Sequence, residues 1–196
     1  MTKMERKISL LGIAGSLRKK SYNKAILRAA LDLLPENAKM DVFDLEGIPP
    51  FNQDLEDQPP KRVKEFKEAI RSADAILIAT PEYNYSIPGV LKNAIDWASR
   101  PYVENAFKGK PVAIMGASIG MLGTARAQYH LRQCFVFLDM YPINGPEVMV
   151  PFAHEKIDDS GKLTDEKAIG FIRELIKNLV DWTIELKSAR KETAKA

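Results

Sequence analysis

The chain has 196 residues, of which 45% are hydrophobic and 28% charged, with a formal net charge of +3, the profile of an ordinary globular protein. No apolar stretch approaches the roughly 18 residues that cross a bilayer, and MTKMERKISLLG lacks a signal-peptide core, so no membrane role and a cytoplasmic address are expected. The single cysteine, Cys134, excludes an internal disulfide, and His130 and His154 offer no metal-ligand spacing.

The first element, KISLLGIA from Lys7, is an unbroken apolar run, the pattern of a strand covered on both faces in a parallel sheet. NKAILRAALDLL from Asn23 has helical spacing and ends before Pro35, and MDVFDL from Met40 is a weaker strand. KRVKEFKEAIRS from Lys61 is a helix with Val63, Phe66 and Ile70 on one face, followed by a second doubly buried strand, DAILIAT from Asp74. VLKNAIDWAS follows Pro88, a residue tolerated at a helix start, and PVAIMGA from Pro111 is a third buried strand.

A long helix is expected from about Met121 to Leu138, with Cys134 in it as a packed small hydrophobe. A fifth strand falls between Met140 and Val150, its limits blurred by Pro142, Pro146 and Pro151. The last helix runs from about Asp165 to Leu186 with Thr164 as N-cap, and the basic end, residues 187–196, is expected to fray. The whole of 1–196 reads as a single domain.

This alternation of strands and helices folds, with right-handed crossovers, into an α/β doubly wound five-stranded parallel sheet with helices on both faces. In the strand order 2-1-3-4-5 the topological switch point lies between the first and third strands, and ligands bind beyond the carboxyl ends there. The loops after the first, third and fourth strands are therefore the places to look for chemistry.

The first loop, GSLRKKSYN, offers Ser16, Arg18, Ser21 and Asn23 ahead of a helix whose free N–H groups face it, the donor set for a phosphate. Five bases and no acid lie between Ile8 and Leu31, a local field suited to a small anion, whereas nucleic acid would call for a broad basic stripe. Helix capping by Ser21 and Asn23 is the plainer alternative. The loop contains neither GxGxxG nor GxxxxGK[ST], and no cysteine that would make it a phosphatase loop.

The second loop, PEYNYSIPG from Pro81, is stiffened by prolines, and Asn84 tolerates the backbone angles of a tight turn. Such a shelf suits the edge of a flat heteroaromatic ring; the alternative is a turn with Tyr83 and Tyr85 packed on neighbours. The third loop, GASIGMLGTARAQ, supplies Ser118 and Gly116, Gly120 and Gly123, which let a ring approach the backbone or simply pack a helix.

Together GSLRKKSYN, PEYNYSIPGVLKNAIDW and GASIGMLGTARAQ resemble the NADPH-dependent FMN reductase family of flavodoxin-like enzymes, which includes quinone, azo-dye and chromate reductases. The likeness runs from Ile8 to about Glu147, and KIDDSGKLTDE beyond it is also similar. It implies FMN as cofactor, its phosphate held by Ser16, Arg18, Ser21 and Asn23, its ring lined by Pro81, Glu82, Tyr83 and Asn84, and its other edge closed by Ser118 and Gly120.

The resemblance further implies a ping-pong cycle in which NADPH, or NADH, reduces the flavin at N5 and an acceptor such as a quinone, azo, nitro or chromate compound reoxidises it, with no catalytic side chain and no metal. NADPH is favoured by the family and by the basic residues of the first loop, without naming residues for its 2′-phosphate. A homodimer or homotetramer is implied, with the helix near Met121 as a candidate interface, although its apolar face would equally pack on its own sheet. The alternatives are a flavodoxin-like electron carrier, which would be acidic and Thr-rich in its first loop, and a sugar- or nucleotide-binding module without redox activity.

Overall fold

The structure, a computed structural model, describes residues 6–193. Four strands, β1 (Ile8–Ala14), β2 (Ala38–Phe43), β3 (Ala75–Ala79) and β4 (Pro111–Ala117), lie parallel in the order β2-β1-β3-β4. The two short strands β5 (Tyr141–Pro142) and β6 (Val148–Val150) both pair with β4 and complete the sheet. The order expected from sequence, 2-1-3-4-5, is the one observed, and the flavodoxin-like topology follows.

Why the strands read as unbroken apolar runs is visible in β3. Ala75, Leu77 and Ala79 face one layer, made by α1 (Tyr22–Asp32) and α6 (Glu166–Thr193). Ile76 and Ile78 face the other, made by α2 (Lys61–Ser72), α3 (Gly89–Ala98) and α4 (Ala125–Phe137). With both faces covered, successive side chains leave water alternately to either side, each large one contributing about 1.5–3 kcal/mol. β2, by contrast, is an edge strand with Lys39, Asp41 and Val42 exposed, hence its weaker pattern.

Several boundaries differ from the sequence expectation; β2, expected from Met40, runs over Ala38–Phe43. The helix expected from Met121 begins at Ala125, because Gly123 and Thr124 both take positive φ, +53° and +84°, and residues 121–124 form a turn. The fifth strand is two pieces, β5 and β6, separated by an excursion over 143–147. Asp165, not Thr164, caps α6: its carboxylate accepts from the Ala168 N–H at 2.7 Å, while the Thr164 hydroxyl donates to the Lys156 carbonyl. Finally α6 continues to Thr193 instead of fraying from residue 187, since Lys187 pairs with Asp74 at 2.6 Å and Arg190 donates to the Gly109 carbonyl; residues 194–196 lie outside the described residues.

A short helix, α5 (Ala153–Lys156), leads from β6 into a tight loop closed by the Ile157–Leu163 bridge. Among the described residues no helix is long and apolar enough to cross a membrane.

Candidate functional site

All three nominated loops leave the carboxyl ends of adjacent strands, so the parallel register of β1, β3 and β4 sets them side by side. They enclose a crevice of about 200 Å3. Ser16, Arg18, Ser21, Asn23, Pro81, Glu82, Tyr83 and Ser118 line it, eight of the ten residues nominated from sequence; Asn84 and Gly120 do not.

The first loop comes close to the second because Gly15 has no side chain: a Cβ there would lie 3.1 Å from Leu91 and 3.3 Å from Pro81. Its N–H pairs with the Ala79 carbonyl of β3 at 2.8 Å. Ser21 is the N-cap of α1, its hydroxyl oxygen accepting from the Lys24 N–H, and it is buried, as is Ser16. The next two helical N–H groups, of Tyr22 and Asn23, have no partner among the described residues, as expected at a helix start. The capping alternative and the anion reading therefore coexist: Ser21 caps the helix and still faces the crevice.

Asn23 has a different job from the one expected. It is buried, and its side chain bonds Ala117 twice, donating to its carbonyl and accepting from its N–H, both at 2.9 Å. This two-bond clamp ties the start of α1 to the end of β4 beside the crevice that Asn23 also lines. Nothing in the sequence around either residue signals the pairing.

Of the bases near this loop, Lys24 is neutralised by Asp44 at 2.7 Å. Burial pushes the Asp44 carboxyl up, but the Lys24 hydrogen bond, the Glu46 N–H and the charges of Lys24 and Arg62 together hold it below its usual range. Arg18, Lys19 and Lys20 are exposed and have no counter-ion among the described residues. The Arg18 guanidinium lies over the Tyr22 ring at 4.9 Å. Tyr22 lines the crevice and was missed from sequence, although its four-residue spacing from Arg18 was visible.

In the second loop Tyr83 and Ser86 exchange two backbone hydrogen bonds around Asn84 and Tyr85, whose φ values are +50° and +63°. Two consecutive positive φ angles make a tight primed turn, so Asn84 supplies backbone geometry and not a lining group. Thr80 anchors the loop from below, its hydroxyl donating to the Pro81 carbonyl at 2.8 Å. The alternative of tyrosines packed away does not hold, because Tyr83 and Tyr85 are 55% and 66% exposed.

Glu82 lines the crevice and has a second engagement. Its carboxylate accepts from Arg126 and from the Ala127 N–H, each at 3.1 Å, which pins the start of α4 to this loop. Arg126 in turn covers the Tyr85 ring at 3.6 Å. Glu82 therefore lines the crevice while its charge is spent on α4.

Across the crevice, the Ser118 N–H donates to the Val150 carbonyl, and its hydroxyl oxygen accepts from the Gly120 N–H at 3.2 Å. Two of the three glycines here answer to packing: a Cβ at Gly116 would strike Thr124 and at Gly123 would lie 2.9 Å from the β6 backbone. At Gly120 a Cβ would meet only the Ser118 hydroxyl, at an ordinary 3.6 Å. Ile119, Met121 and Leu122 stand exposed beside it.

The arrangement has two halves: unspent cationic and N–H donors around Ser16–Asn23, and a stiff, largely apolar shelf of Pro81, Tyr83 and Ile119 facing it. That is the donor set for a phosphate ester attached to a flat ring.

Residues 8–155 match the family described as NADPH-dependent FMN reductase. An NAD(P)H-dependent FMN reductase of Pseudomonas aeruginosa is 53% identical over 181 residues, 92% of this chain and 97% of that protein. A 2-hydroxy-1,4-benzoquinone reductase of a Burkholderia species is 41% identical, with 87% of this chain and 93% of that protein covered. Among solved structures, FerB, a flavoenzyme NAD(P)H:(acceptor) oxidoreductase from Paracoccus denitrificans, superposes with a TM-score of 0.83 at 35% identity, over 91% of this chain and 98% of that one.

Proposed function

Because the chain belongs to the NADPH-dependent FMN reductase family, we propose that it is an NAD(P)H-dependent flavoenzyme passing electrons to quinones and similar acceptors, azo, nitro and chromate compounds included. The observation that carries this reading is the convergence of Ser16, Arg18, Ser21, Pro81, Tyr83 and Ser118 on one crevice at the switch point of the sheet.

The residues present fit FMN. Its phosphate would be held by the Ser16 and Ser21 hydroxyls, the Tyr22 and Asn23 N–H groups and Arg18; each hydrogen bond to such a charge contributes about 1.5–3 kcal/mol. Its ring would rest against Pro81 and Tyr83 with Ser118 at the far edge. FMN held there would supply the redox chemistry, two-electron exchange between a nicotinamide and an acceptor. The protein supplies position: the primed turn at Asn84 and Tyr85 fixes the shelf, the Asn23 clamp fixes the phosphate end, and the exposed Tyr83 leaves one side open to successive substrates. This openness favours a ping-pong sequence with a broad acceptor range.

The apolar residues of α4 divide between a buried and an exposed face. Ala127, Leu131 and Phe135 are buried, while Tyr129, Val136 and Phe137 are exposed, as are Met121 and Leu122 in the turn before the helix. We take that outer face to join copies into a homodimer or homotetramer, which light scattering would check. The chain is read as one domain acting in the cytoplasm, where its nicotinamide donor is found.

Anaerobic titration tests the function. The purified protein is expected to be yellow, to lose its visible absorbance on adding NADPH or NADH, and to regain it on adding a quinone. A colourless protein that takes up no FMN would overturn the reading.

A further inference from the structure

Beyond the Arg18–Tyr22 stack a second cleft begins, of about 520 Å3, which shares Arg18, Ser21 and Tyr22 with the first. Those three residues form the phosphate end of the crevice, whereas Pro81, Tyr83 and Ser118 of the ring shelf line the crevice and not the cleft. The phosphate cradle is therefore a passage. The cleft runs between the start of α1 and the segment 154–161, and its charged lining is Arg18, Lys19, Lys20 and Arg28 against Asp158 and Asp159, with His154 also facing it. Asp158 is already engaged: it accepts from the Ser160 hydroxyl at 2.6 Å and the Lys162 N–H at 2.9 Å, and these bonds hold it below its usual range. Arg28 meets a carbonyl, that of Gly161, at 3.3 Å, and among the described residues no carboxylate. Gly161, at a φ of +82°, makes room for it, since a Cβ there would stand 2.8 Å from the guanidinium.

Past Arg28 a third space of about 360 Å3 shares Ala25, Arg28, Ser160 and Gly161 with the cleft. Its walls are apolar, Ala29, Leu33, Leu163 and Ile169, and Asp32 offers an acceptor. The three spaces follow one another along α1, from its N-cap to its last turn, a rise of about 18 Å at about 1.5 Å per residue. FMN ends at its phosphate and reaches only the first of them. A ligand that continues from that phosphate meets a cationic cleft and then an apolar slot with an acceptor. FAD has this order, because it is FMN whose phosphate is joined to that of AMP: a second phosphate, a ribose, then a flat adenine whose amine donates.

We propose that the protein accepts FAD as well as FMN, with the flavin in the crevice, the second phosphate among Lys19, Lys20 and Arg28, and the adenine in the slot against Leu33, Leu163 and Ile169. Charge-assisted hydrogen bonds are the strong means of holding such a phosphate, and the Arg28 fork suits its geometry. The inference rests on the reading of the crevice as a flavin site, and it adds a cofactor form that the family's description, which names FMN, does not include. The cleft and slot would equally suit a free adenine nucleotide lying beside FMN, and the test separates the two sources.

Calorimetry on the full chain, stripped of flavin, tests it. FAD is expected to bind one to one, in competition with FMN and within about tenfold of its affinity. The variant K20A/R28A is expected to weaken FAD about tenfold or more and FMN less than about threefold. Added to the FMN-loaded protein, 5′-ADP is expected to bind about 100-fold or more weaker than FAD does to the stripped chain, because it lacks the tether that concentrates it there. FAD binding about 100-fold or more weaker than FMN, or an equal loss of both flavins in the variant, would overturn the proposal and leave the flavin site standing. ADP that binds the FMN-loaded protein as tightly as FAD binds the stripped chain would also overturn it, in favour of a free nucleotide. Uptake of neither flavin would sink this proposal and the reductase reading together.

Discussion

At the amino ends of the strands, Asp74 accepts from Lys187 at 2.6 Å and from the Ser9 N–H at 2.9 Å, Lys110 donates to the carbonyls of Arg71 and Ala73, and Arg190 donates to Gly109. At the carboxyl ends, Arg18, Lys19 and Lys20 are exposed and, among the described residues, form no salt bridge, and the Tyr22 and Asn23 N–H groups are unpartnered there. Both ends carry polar groups, but one end satisfies them internally and the other keeps them for a ligand. Unmet donors are tolerable at the second end because water or an anion can reach them, whereas at the first the carbonyls and the Asp74 carboxylate are met by lysine, arginine and backbone N–H donors of the chain itself.

Substitutions that cross this division have the largest expected effect. Asn23→Ala breaks the clamp and strands the N–H and carbonyl of Ala117, so it should cost about 2–4 kcal/mol in denaturant unfolding and loosen FMN as well, since Asn23 is internally satisfied yet sits at the ligand end. Next comes Arg18→Ala, which should weaken FMN about 10- to 100-fold by fluorescence titration while shifting unfolding free energy by less than about 0.5 kcal/mol. An unchanged affinity would show that the first loop only caps its helix.

Asp74→Asn sharpens the contrast from the opposite side. It should lower stability by about 1–2 kcal/mol at neutral pH and leave FMN affinity unchanged. Burial pushes this carboxyl up, yet the Lys187 and Ser9 hydrogen bonds and the charges of Lys187 and Arg6 outweigh it, so its folded pKa is lowered. The stabilisation is therefore complete above the ordinary carboxyl range, near pH 4, and is lost as pH falls through the lower folded value. Wild type and variant should converge in acid when unfolding is followed against pH.

The smallest effect is at Cys134, whose thiol is pushed up by burial and packs against the core. It should react slowly with a thiol reagent at neutral pH and quickly once the chain is unfolded.

The sheet was legible because strands covered on both faces leave a continuous apolar signature, as in DAILIAT and PVAIMGA, and the strand order expected, 2-1-3-4-5, is that of the flavodoxin-like doubly wound fold. The crevice was legible because topology places three loops together whatever their details. Individual roles were harder. Asn23 looked like an anion ligand because its true partner is 94 residues away, and Glu82 looked like a ring-facing acid because its bond to Arg126 is equally non-local. The basic end looked unstructured because its local composition is that of a tail, whereas contacts to Asp74 and Gly109 continue the helix. Local pattern reports burial well; it does not report which distant group a polar side chain meets.

The interrupted fifth strand has a consequence for solubility. Tyr141–Pro142 and Val148–Val150 give the far margin of the sheet no unbroken row of free amide groups, and Pro142 has no hydrogen to donate. The opposite margin, β2, turns Lys39 and Asp41 outward. A foreign strand seeking to extend the sheet would find neither border continuous and uncharged, so the molecule resists open-ended stacking into fibrils even while its helical flank stays free for closed association.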